Sequence, residues 1–125
     1  HTHVVAHSAY HDTTLVLAML RAGASGYVVK GAPPSELIAA LEGVPDRSAR
    51  YVCVAAFVDG AREVVRRGEV GGAMISEPRG TNGFGYDPYF LSDELKKTFG
   101  EASLGEKATV SHRARAFRAL LDAIA

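Results

Sequence analysis

At 125 residues the chain has the length of one ordinary domain, with 14 acidic against 14 basic residues and a formal net charge of zero. That balance excludes a global field for drawing in nucleic acid or an anionic membrane, so any anion site must be local. Cys53, the single cysteine, excludes an internal disulfide, and no apolar run approaches a membrane span, so a cytoplasmic protein with a buried thiol is expected.

In chain order, the start at His1-Thr2-His3 rather than methionine reads as a trimmed or engineered end, and His1, His3 and His7 alternate onto one strand face without an acidic partner for a metal. Val4-Val5-Ala6 predicts a strand, and Leu15, Ala18, Met19 and Ala22 recur at helical spacing up to Gly23. Gly26 to Lys30 predicts a second strand. Pro33-Pro34-Ser35-Glu36 opens a helix with Leu37, Ile38 and Leu41 on one face. This β-α-β-α rhythm predicts parallel strands.

After Gly43 the pattern changes. Arg50 to Val58 predicts a long strand, Asp59-Gly60 a hairpin turn, and Glu63 to Val70 the antiparallel return. Ser103-Leu104-Gly105-Glu106 is a capping-box pattern, and Phe117, Leu120, Leu121 and Ile124 predict the core stripe of a C-terminal helix. The expected fold class is α/β: a single domain over residues 1–125 with a three-layer-like mixed sheet, in which an N-terminal β-α-β-α unit precedes a long β-hairpin, a glycine-aromatic loop and a C-terminal helix.

The run Arg79-Gly80-Thr81-Asn82-Gly83-Phe84-Gly85-Tyr86-Asp87-Pro88-Tyr89-Phe90 combines glycines that let backbone approach a ligand with aromatics that can stack on a base, and Lys107 with Ser111-His112-Arg113 adds cations near a helix start. The plainer alternatives are a tight loop with packed rings and an ordinary N-cap with surface charges. From Leu41 to the C-terminus these segments resemble the inosine/xanthosine triphosphate pyrophosphatase family. The resemblance implies that Phe84 stacks on a purine, that Tyr86 and Asp87 shape the pocket, and that Lys107, His112 and Arg113 contact the base or a nearby phosphate. The family's phosphate-gripping Ser-x-Asn-x-x-Lys turn is represented only by Ser8-Ala9-Tyr10-His11-Asp12-Thr13, and its Asp-Asp-Ser-Gly stretch has no counterpart.

Residues 1–41 resemble instead the C-terminal half of a response-regulator receiver domain, through Val4-Val5-Ala6-His7-Ser8-Ala9, Leu20-Arg21-Ala22-Gly23-Ala24-Ser25-Gly26-Tyr27, and Lys30 with Ala32-Pro33-Pro34. That resemblance implies a flavodoxin-like segment with Ser8, Tyr27 and Lys30 as remnants of a phosphorylation switch. The receiver's phosphorylated aspartate and acidic cluster are absent. The combined expectation is a recombined or engineered chimera, monomeric or homodimeric, with a weak residual purine-nucleotide half-site and no catalytic residues, cofactor or metal. Two alternatives stand beside it. One is an active pyrophosphatase converting inosine or xanthosine triphosphate to monophosphate and pyrophosphate, with Mg²⁺ held by Glu69, Glu77 or Asp12. The other is a receiver-like signalling or partner-binding module.

Overall fold

The computed structural model describes residues 5–8, 17–18, 21, 26–29 and 33–125. The chain divides into two compact units, residues 1–47 and 48–125. In the first, β1 (Val5–Ser8) and β2 (Gly26–Val29) pair in parallel, with Val5 opposite Gly26 and Ser8 opposite Val29. Helix α1 (Pro34–Ala40) follows. Pro34 sits in its first turn, where the missing N–H leaves no helical bond unmade.

The second unit is built on a long antiparallel hairpin, β3 (Ser48–Asp59) and β4 (Arg62–Met74), with the short β5 (Phe90–Ser92) on the far side of β4. Among the described residues the first unit holds a parallel strand pair and the second an antiparallel sheet. The turn falls one residue later than expected. Asp59 pairs with Arg62, so Gly60 and Ala61 make the loop, and Gly60 takes the positive φ of 55° that a two-residue hairpin needs at its first central position.

Strict alternation along β3 decides what the hairpin covers. Tyr51, Cys53, Ala55 and Phe57 face inward, while Val52, Val54 and Val58 on the other face are exposed. The inward face carries α3 (His112–Ile124), where Ala55, Ala116 and Leu120 form a buried cluster flanked by Cys53, Phe57, Val64 and Ile124. Cys53 is therefore half-buried. The expected helix stripe needs correction. Ala116, Leu120 and Ile124 recur every four residues and meet the sheet, whereas Phe117 and Leu121 fall on the next stripe and are 54% and 60% exposed.

Gly68 sets how closely α3 approaches, because a Cβ there would run into the His112 carbonyl and the Ala116 amide of the helix backbone. The far end of α3 is tied back by Arg62, whose Nη2 donates to the Ala123 carbonyl at 2.8 Å and places a cation at the negative end of the helix. A second aromatic core lies at the other end of the hairpin. Phe90 and Phe99 are fully buried with ring centroids 5.0 Å apart, each such burial being worth about 1.5–3 kcal/mol. Ser103 then caps α2 (Leu104–Val110) in a complete capping box with Glu106, as its sequence pattern predicts.

Candidate functional site

Three segments of the second unit bring the candidate residues together. The 3₁₀ turn Asp87–Tyr89 follows the glycine-aromatic loop, α2 contributes Lys107, and α3 begins with His112 and Arg113. The loop is tightly braced. Ile75 N–H donates to the Tyr89 carbonyl and Arg79 N–H to the Pro88 carbonyl, both at 2.9 Å, while Asn82 N–H donates to the Gly100 carbonyl at 2.8 Å and its side-chain amide to the Ala102 carbonyl at 3.1 Å. These bonds satisfy backbone groups that an irregular segment would otherwise leave unpaired.

Asp87 organises the centre. It is buried, and its Oδ2 accepts from the Phe84 backbone N–H at 2.9 Å and from Lys107 Nζ at 2.6 Å. Gly83 makes this possible: its φ of 74° favours glycine, and a Cβ there would run into the Asp87 carboxylate. Phe84 is thereby held out from the body, 64% exposed. Lys107 Nζ and the Arg113 guanidinium lie 5.2 and 5.3 Å from its ring centroid, within cation–π range. Tyr86 caps the 3₁₀ turn, its carbonyl accepting from Tyr89 N–H at 2.8 Å and Phe90 N–H at 3.1 Å.

Ser111 caps α3 by accepting from the Ala114 N–H, so the capping alternative holds and coexists with the site. That cap fixes where His112 and Arg113 emerge. The His112 imidazole stacks on Tyr51 of β3, with centroids 5.0 Å apart and planes at 21°. Burial first, then the charges of Arg113 and Lys107, hold the imidazole below the usual histidine range, with Asp87 opposing. Burial, then Asp87 and Tyr86, push the Tyr51 phenol up, with Arg113 opposing. Tyr51 went unnoticed in the sequence: its inward position on β3 follows from alternation, but not the distant residue it meets.

The structure thus gathers Phe84, Asp87, Lys107, His112 and Arg113 in one place. The receiver-type candidates belong to the first unit. Ser8 ends β1, Tyr27 lies in β2 opposite Ala6, and Lys30 falls outside the described residues. For Mg²⁺, no three His, Cys, Asp or Glu side chains converge among the described residues. Glu69 is held by Arg67 at 2.6 Å and Arg50 at 3.6 Å, Glu77 is exposed, and Asp12 lies outside the described residues. The described residues therefore do not build a metal cage. No described helix is long and apolar enough to cross a membrane.

The model of the Ham1 family matches residues 11–123. The chain belongs to the Ham1 family. A dITP/XTP pyrophosphatase of Gloeobacter violaceus is 48% identical over 89 residues, covering 70% of this chain and 46% of that relative. One from Bacillus licheniformis is 48% identical over 93 residues, covering 70% and 47%. The chain therefore spans about half the length of the curated relatives it matches. Ham1 proteins of Coxiella burnetii and Staphylococcus aureus share the fold at 19% identity, with TM-scores of 0.69 and 0.66; the matches cover 97% and 96% of this chain and 98% and 97% of theirs.

These matches overturn the expected non-catalytic chimera. One family model runs through the presumed junction at residue 41, and one fold covers both sides of it. The receiver resemblance finds no support. It rests on short strings such as Leu20 to Tyr27, whereas the family model spans residues 11–123.

Proposed function

We propose that the chain works as a purine nucleoside triphosphate pyrophosphatase, releasing pyrophosphate and a nucleoside monophosphate from inosine or xanthosine triphosphate; its relatives carry the name dITP/XTP pyrophosphatase. The observation that carries this reading is the convergence on Asp87, which ties Lys107 to the loop bearing Phe84. Phe84 offers an exposed ring face for the base, worth about 1–3 kcal/mol in stacking. Lys107 and Arg113 lie over the ring and His112 lies beside those two cations, so the three offer donors for the oxygen atoms of an oxo-purine or a phosphate. The Tyr86 carbonyl holds the 3₁₀ turn, and the Asp87 carboxylate fixes the Phe84 amide and the Lys107 ammonium. Nucleotides are accordingly the expected partners.

The test is an NMR titration of the 125-residue chain with inosine and adenosine triphosphates. Shifts centred on Phe84, Lys107 and His112 that saturate at lower inosine triphosphate concentration support the reading. Shifts elsewhere, or none, sink it.

A further inference from the structure

Beneath the proposed base site lies a residue that the site itself does not explain. Tyr51 belongs to β3, and its ring meets three others: Phe90 at 4.6 Å, His112 at 5.0 Å and Phe99 at 6.0 Å between centroids. The contact with His112 is nearly parallel, so the imidazole lies flat on an aromatic floor. The imidazole Nδ1 is shielded from solvent and has no hydrogen-bond partner. No ligand can reach that nitrogen while the ring lies there, so Nε2 is the nitrogen left to meet one.

We infer that Tyr51 is a positioning residue for nucleotide recognition: its ring fixes the plane of His112, keeps Nδ1 buried, and holds the imidazole neutral with its proton on Nε2. This rests on the purine-nucleotide reading of the site. Protonation would put an N–H on both ring nitrogens, and the Nδ1 proton would then be buried without an acceptor. An orphaned buried N–H is rarer than an orphaned lone pair, which places the proton of the neutral ring on Nε2. The ionisable groups facing the imidazole are Tyr51 of β3, Asp87 of the 3₁₀ turn, Lys107 of α2 and Arg113 of α3. The two cations act in the same direction as burial, and only Asp87 opposes them.

The experiment compares the 125-residue chain with its Tyr51→Phe and Tyr51→Leu variants, following the His112 Cε1–H resonance through a pH titration without ligand and measuring inosine triphosphate affinity by calorimetry. Tyr51→Phe keeps the ring and should retain both the titration midpoint and the affinity. Tyr51→Leu should move the midpoint up toward the ordinary histidine value of about 6.5 and weaken binding on the order of tenfold. An unmoved midpoint and affinity in a folded Tyr51→Leu chain overturn the inference while leaving the nucleotide site intact. If wild type shifts His112 normally but binds no inosine triphosphate, the nucleotide reading fails, and the positioning role with it. Should Tyr51→Leu not fold, nuclear Overhauser contacts between the Tyr51 and His112 rings in wild type decide the stacking directly, and their absence overturns it.

Discussion

Lys107 Nζ sits 2.6 Å from Asp87 Oδ2, and both side chains are largely shut off from solvent. Lys107→Met should therefore strand a buried carboxylate at a cost of about 3–5 kcal/mol, measured by urea denaturation. Adding Asp87→Asn should recover part of that loss, since the uncompensated charge goes with it. Additive losses in the double variant would show that the two residues do not act as a pair.

Gly68 lies against the backbone of α3, where the His112 carbonyl and Ala116 amide leave no room for a Cβ. Gly68→Ala should destabilise the chain by about 1–3 kcal/mol through overpacking. Because the helix start has to shift, nucleotide affinity should fall with stability. Unfolding and calorimetric titrations on the same variant check both.

At Gly83 the backbone strain and the steric conflict act at one point, since φ is 74° and a side chain would meet the Asp87 carboxylate. Gly83→Ala should disturb the Phe84 amide resonance and weaken inosine triphosphate binding more than Gly85→Ala, where φ of 60° carries similar backbone strain but the Cβ has open space. Equal effects from the two substitutions would contradict the assigned role of Asp87.

His112 is held below its ordinary range by burial and by Arg113 and Lys107. A histidine whose folded-state value is lowered binds protons more readily when unfolded, so stability should fall as pH drops below about 6.5 and level off below the lowered value. His112→Gln should flatten that part of the pH profile relative to wild type. Superimposable profiles would remove His112 as its source.

The hairpin and the helix starts were legible because their signals are local: alternation from Tyr51 to Phe57, the Ser103 and Glu106 capping box, and Pro34 in a first turn. The residues of the candidate site could be named from the run around Phe84 and the Ser111-His112-Arg113 segment, and the structure places them near one another. Its supports were not. Tyr51 and His112 are far apart in sequence and meet only because Gly68 lets α3 settle on the sheet. Phe117 and Leu121 show the reverse error, in which apolar residues one stripe away from the packed face were read as core. The chimera rested on the receiver-like residue strings within residues 1–41, and the family match that runs across residue 41 removes it.

The most direct test of the central claim is pyrophosphate release from inosine triphosphate, in Mg²⁺ buffer, by the 125-residue chain and its Phe84→Ala variant. The account predicts release by wild type that exceeds release from adenosine triphosphate, and a loss of about 5- to 150-fold in kcat/KM for Phe84→Ala, the equivalent of one stacked base. Release that is equal for the two nucleotides and unaffected by Phe84→Ala would contradict it.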